Sequence, residues 1–362
     1  MDIAFYGSSL LSSYWNGAAT YYRGLLGALA GLGHSITFYE PDAFDRQAHR
    51  DIDPPAWARS VVYPATADAV RSVLAQAAGA DVVMKASGVG VFDGELLTGI
   101  LQHARPGAVT CFMDVDAPAT LATVQADPSD PMHAALRGLD LVLTYGGGPP
   151  VVDAYTRLGA RRCVPIYNAL DPATHHPVPA ELRFGADLAF LANRLPDREA
   201  RMEAFFLDAA ARLPGKSFLL GGNGWHGMAM PGNVRAIGHV GTADHNAFNC
   251  SAHAVLNVAR DSMAAVGFSP ATRVFEAAGA GACLITDAWK GIELFLQPDA
   301  EVLVARDGVD VAEHIRTLTP ARARAIGTAA RARILEGHTY AQRAVILDAL
   351  LRDTLARKRA AA

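Results

Sequence analysis

The sequence predicts an α/β fold of two doubly wound domains facing each other across a cleft. Three observations predict it. Short apolar runs ending in Gly, Ser or Asp alternate with longer helical patterns, as in parallel sheets covered on both faces. The alternation lapses at PIYNALDPATHHPVP, around residues 165–180, and then restarts. The chain has 362 residues, 51% of them hydrophobic, enough length and apolar content for about two cores.

In the first half the expected strands are residues 3–7 (IAFYG), 35–40 (SITFYE), 80–86 (ADVVMKA), 108–114 (AVTCFMD) and 140–145 (DLVLTY). Residues 19–33 read as a helix, because apolar side chains recur at spacings of three and four and Gly33 supplies a stop. A domain over 1–167 is then joined by a linker, 168–184, to a second domain over 185–337. The second half offers strands at 187–193, 217–222, 233–238, 253–259, 282–287 and 301–305. Helices are expected at 198–213 and 272–281, followed by Ala/Arg-rich helices to the end.

A net charge of −4 gives no overall basic field to hold nucleic acid or an anionic membrane. No uncharged apolar run reaches about 18 residues, so no transmembrane segment is expected. MDIAFYG enters a strand directly, without a basic-then-apolar leader, so the expected location is cytoplasmic. Cys111, Cys163, Cys250 and Cys283 lie far apart in apolar settings and read as buried reduced thiols rather than disulfides or zinc ligands.

Ligands of open α/β sheets bind outside the carboxyl ends of strands, so strand-end residues are the candidates. The loop GSSLLSSYWNG after the first strand lacks both GxGxxG and the Walker lysine, which disfavours dinucleotide and P-loop readings. Its Trp15 and Asn16 are candidates for an acceptor pocket, since a sugar ring stacks on indole. Lys85, ending the third expected strand, is placed with them. Asp114 and Asp116 in CFMDVDAP suit a general base or hydroxyl-binding pair; D-x-D metal binding and simple helix capping stay open as alternatives.

In the second half, Asn193 and Arg194 end a strand and Arg198 opens a helix, where diphosphates are commonly held. Gly222, Asn223 and Gly224 permit close backbone approach, and Trp225 with His226 offers a stacking face and a polar group. Arg260 follows the next strand. Ser269, Thr272 and Arg273 precede or begin a small-residue helix with Glu276 one turn in, which sets phosphate donors beside a carboxylate able to accept ribose hydroxyls. The alternative is a structural Arg273–Glu276 pair at i,i+3. Asp287, Trp289, Lys290 and Glu293 lie in the loop after the following strand.

These motifs occur in order: LGHSITFYE, DVDAP, YNALDPATHHP, FLANRLPDRE, LLGGNGW, LNVARD, TRVFEAAGAGACLITDAWKGIELFLQPDAEVLVA and HTYAQRA. Together they resemble a GT-B-type glycosyltransferase, in particular the CgeB-like (spore-maturation protein) group. The resemblance spans nearly the whole chain, and its last two motifs are the most specific. It implies two Rossmann-like domains, the first binding an acceptor and the second a nucleotide-sugar donor. It also implies that the segment 338–362 is a helix crossing back to the first domain. Glu276 matches the family glutamate on the donor ribose, Thr272 and Arg273 the segment near the diphosphate, and Asn193, Arg194 and the glycine loop other edges of the donor site. Many retaining members carry a second acid about eight positions earlier; here that position is Phe268.

The expected reaction moves a sugar from a nucleotide-diphosphate donor to an acceptor hydroxyl. No bound metal and no cofactor beyond this co-substrate is expected. The arginines would stabilise the leaving diphosphate, and Asp114 or Asp116 would act as base if configuration inverts. A nucleotide-sugar 2-epimerase of the same fold and a non-catalytic cytoplasmic nucleotide- or sugar-binding protein are the competing readings. The acceptor is open among glycan, lipid-linked sugar, protein and small molecule.

Overall fold

The computed structural model describes residues 1–14 and 16–361, the side chains of Asp197 and Ala361 apart. The chain divides into two units. The first holds residues 1–168 together with the segment from Tyr340 onward; the second holds Ala169–Thr339.

The first unit is built on β1 (Asp2–Tyr6), β2 (Ser35–Asp42), β3 (Ala58–Pro64), β4 (Val82–Ala86), β5 (Val109–Asp114), β6 (Leu141–Thr144) and β7 (Cys163–Pro165). All pair in parallel, in the order β3-β2-β1-β4-β5-β6-β7. Every residue of β4, β5 and β6 is buried, which is why their sequences are near-continuous apolar runs. β3 and β7 are the outer strands, and neither is among the strands expected from the apolar pattern. β3 is largely half-exposed, and β7 is three residues ending in Pro165, so neither carries a clear apolar signal.

The closing helix Tyr340–Ala361 belongs to this unit and packs on the helix Ala18–Gly31. Gly24 makes that approach possible: a Cβ there would fall inside the buried Tyr340 ring. Polar clamps fix the helix along its length. His34 Nε2 lies 2.7 Å from Asp348, and Lys358 Nζ donates to the Ala108 carbonyl and to Asp140, both at 2.6 Å.

The second unit contains β8 (Ala186–Leu191), β9 (Phe218–Gly221), β10 (Val234–Gly238), β11 (Ala252–Asn257), β12 (Leu284–Asp287) and β13 (Leu303–Ala305). Their order is β10-β9-β8-β11-β12-β13, again wholly parallel. Leu188, Phe190, Phe206, Phe218, Leu256 and Ile285 centre the core on one face of this sheet, and Ala189, Leu219 and Phe248 on the other. The expected helix over 198–213 is interrupted. Pro196–Met202 and Asp208–Arg212 are α-helical, and Glu203–Leu207 between them is a single π-turn. Residues 169–184 belong to this unit: Leu170 bridges to Thr339, and Phe184 packs edge-on against Phe248. No helix among the described residues is long and apolar enough to cross a membrane.

Candidate functional site

In the second unit the strand order reverses between β8 and β11, so the loops leaving their carboxyl ends diverge and open a crevice. The loops after β8 and β9 are latched together there. Asn193 Oδ1 accepts from the Asn223 amide at 2.9 Å, and the Arg194 amide donates to the Asn223 carbonyl at 2.9 Å. Gly222 has φ +116°, and a Cβ on it would collide with the Ala192 carbonyl, so the loop requires glycine at this point.

Two expectations change at this loop. Trp225 presents no stacking face: it is 3% exposed, sits in the core cluster and donates its indole N–H to Ala192 O at 2.6 Å. The Arg194 guanidinium is held by both carboxylate oxygens of Glu199, at 2.5 and 2.8 Å. It therefore shapes the loop in this structure rather than standing ready for a phosphate.

Arg260 stands at the N-cap position of the short helix Asp261–Val266 that follows β11, without a side-chain capping bond. The chain then turns through Gly267 and Phe268. Phe268 has a left-handed φ of +50°, unusual for a bulky side chain, and its amide donates to the Lys290 carbonyl at 2.6 Å. Ser269 is buried, with its hydroxyl on the Gly267 carbonyl at 3.0 Å.

The helix Thr272–Gly279 begins just beyond, and its first turn carries the strongest grouping. Glu276 is 5% exposed and lies 3.9 Å from Arg273 Nη2 and 4.0 Å from His175 Nε2. Burial pushes its carboxyl up, but His175, Arg273, His245 and a hydrogen bond from Thr272 outweigh it, holding the carboxyl below its usual range. Burial draws the Arg273 guanidinium down, with Glu276 opposing. Arg273 Nη1 is buried and has no hydrogen-bond partner among the described residues. Burial also pushes the His245 imidazole down to about 4.

Sequence reasoning missed both histidines. His175 comes from the proline-rich segment and His245 from the start of the helix His245–Ser251. No local spacing links either to Glu276; only the tertiary fold does. Also unanticipated was the brace below the site. Asp287, fully buried at the end of β12, accepts from Arg201 at 2.6 Å and from the Ala259 amide at 3.0 Å.

The first unit reverses its strand order between β1 and β4. Trp15 lies outside the described residues. Asn16 does not line an open pocket: it is 6% exposed, donates to Ser9 O and Ser12 O at 3.0 Å, and accepts from Ser8 at 2.9 Å. Lys85 is also turned inward. It is 3% exposed and bonded to Asp93 at 2.5 Å, closing the loop after β4. Glu40, unremarked in the sequence, is the buried anchor of the loop after β1, accepting from Ser9, Leu10, Leu11 and Gln47.

Asp114 and Asp116 part company. Asp114 is 1% exposed, and its two oxygens accept from Ser87, Thr120, the Asp116 amide and Tyr155, at 2.5–3.0 Å. Burial raises its carboxyl while these bonds oppose the rise. With both oxygens engaged, Asp114 positions the turn and is poorly placed to take a proton. Asp116 stands at the N-cap of the helix Ala117–Ala126, but its side chain makes no capping bond.

Residues 198–349 match the glycosyl transferase-like family. No curated protein sequence matches the chain. Among solved structures, sucrose-phosphate synthase from Thermosynechococcus elongatus is similar at TM-score 0.72 and 17% identity, over 99% of this chain and 100% of that one. Anabaena HepE in complex with UDP-glucose is similar at TM-score 0.70 and 13% identity, over 98% and 100%. A glycosyltransferase involved in avilamycin A biosynthesis follows at 0.63 and 18%, over 98% of each chain. At these identities the structures establish a shared GT-B fold. With a glycosyl transferase-like match over residues 198–349 and that fold along its length, the chain is a glycosyltransferase.

Proposed function

We propose that this glycosyltransferase is CgeB-like and takes its sugar from a nucleoside diphosphate bound by the second unit. The carrying observation is the buried Arg273–Glu276 grouping at a helix start, beside the crevice where the strand order reverses. A buried carboxylate held ionised suits two ribose hydroxyls, and a buried guanidinium nitrogen without a partner suits a diphosphate oxygen. In the reaction the bond between the sugar C1 and the diphosphate oxygen breaks and the acceptor oxygen bonds to C1. Arg260 and Arg273 would meet the charge growing on the leaving diphosphate, without a metal there. If configuration inverts, Asp116 is the base on the first unit, with Asp114 as its positioning residue. Four cysteines, all free, suit a reducing compartment such as the cytoplasm.

A donor panel tests this reading: UDP-, GDP-, dTDP- and ADP-sugars, scored for released diphosphate and for sugar isomers. UDP-glucose comes first because HepE binds it within a similar fold. One donor should release its diphosphate, and Glu276→Ala should lower kcat/KM by about 100-fold, the worth of one to two charged hydrogen bonds. Interconversion of two free nucleotide sugars instead would identify an epimerase.

A further inference from the structure

We propose that His175, His245 and Glu276 form a site for one divalent transition-metal ion of the zinc class. The inference shares Glu276 with the donor reading above and rests on it only for the ion's use, not for its binding. Three segments distant in sequence bring these side chains together, and their ligand atoms all lie within 4.8 Å of one another. A tetrahedral ion with bonds of about 2.0–2.2 Å sets its ligands a little over ~3 Å apart, so each side chain would close in by less than about 1 Å.

The ring nitrogens are placed for a cation. The Thr174 hydroxyl lies 3.2 Å from the Asp171 carbonyl and 3.0 Å from His175 Nδ1, which engages that side of the ring. His175 Nε2, on the other side, is buried and has no hydrogen-bond partner among the described residues. His245 repeats the pattern. Its Nδ1 is likewise buried and has no hydrogen-bond partner among the described residues. Metal-binding histidines are commonly held in this way, the far N–H given to a carbonyl or hydroxyl while the near nitrogen binds.

Two buried imidazole nitrogens that no hydrogen bond among the described residues engages therefore converge on a buried carboxylate, the donor set of a cation site. Arg273 approaches the other carboxylate oxygen, Oε2, whereas His175 approaches Oε1. An ion on the Oε1 side would pin the carboxylate and leave Oε2 beside the guanidinium. Two nitrogen ligands favour zinc, cobalt or nickel over magnesium or calcium.

The test uses the full chain, stripped with a chelator, dialysed and titrated with Co²⁺ as a visible stand-in for Zn²⁺. The expected result is one equivalent bound with the absorption of a four-coordinate ion, bleached by Zn²⁺. His175→Ala and His245→Ala should each weaken binding by more than about 100-fold, beyond the cost of losing an outer partner. Thr174→Val should keep the fold and weaken binding by about 10-fold, which preserves the test if a histidine variant fails to fold. Absent cobalt absorption, or binding indifferent to these substitutions, overturns the site. Titrating UDP into the same samples separates the two readings. UDP binding without metal binding sinks the metal site alone; metal binding without nucleotide binding leaves the metal site standing and counts against the donor reading.

Discussion

Asp287 carries more of the second unit than its place in a loop motif suggests. It is fully buried and paired with Arg201, which is itself mostly covered. Removing one partner of such a pair strands the other charge, at a cost of about 3–5 kcal/mol. Asp287→Ala should therefore lower the denaturation midpoint markedly, and Asp287→Asn, which keeps the shape, should cost less; equal stability of wild type and Asp287→Ala would refute the brace. Glu276 and Arg273 are legible in the sequence because TRVFE sets them one helical turn apart at a helix start. Trp225, Asn16 and Lys85 are misleading for one shared reason. Residue type and strand-end position suggest an outward side chain, whereas an indole N–H, an amide and an ammonium can each be satisfied inside by local carbonyls or a carboxylate. His175 and His245 are invisible before folding, since only the tertiary structure brings them to Glu276.

At the scale of elements, the inner strands announce themselves as apolar runs and the outer ones do not. β3 and β7 pair on one side only, so little apolar sequence is required of them. The docking of the Tyr340–Ala361 helix depends on a missing side chain at Gly24, a signal that reads in sequence only as a weak helix position. Gly24→Ala should push Tyr340 from its buried place and cost about 1–3 kcal/mol, an overpacking penalty. Calorimetry checks this, and an unchanged melting profile would contradict the packing. Gly222→Ala faces a harder obstacle, because both the positive φ and the Ala192 carbonyl oppose it. It should weaken nucleotide binding as well as stability, since the latch between the loops after β8 and β9 runs through the adjacent Asn223.

For the molecule as a whole, the two-unit division follows from a chain that alternates, lapses and alternates again. Hidden from that pattern is the attachment of residues 169–184 to the second unit, through Leu170, His175 and Phe184. That attachment also predicts a pH response. The His245 imidazole titrates near 4 in the folded, metal-free protein and near its ordinary 6.5 when unfolded. As pH falls from 6.5 toward 4, the unfolded chain takes up a proton that the folded chain refuses, so stability is lost across that window. The loss is at most about 3 kcal/mol. His245→Asn should flatten the profile between pH 6.5 and 4 in melting experiments, and parallel profiles would count against a buried neutral imidazole.

The most direct measurement is calorimetric titration of UDP, GDP, dTDP and ADP into the wild type and Glu276→Gln. One diphosphate should bind, and Glu276→Gln, keeping the shape but losing the charge, should weaken it by at least about 10-fold. Binding of that diphosphate with unchanged affinity to Glu276→Gln, or of none of the four to the wild type, would contradict a donor site built on Glu276.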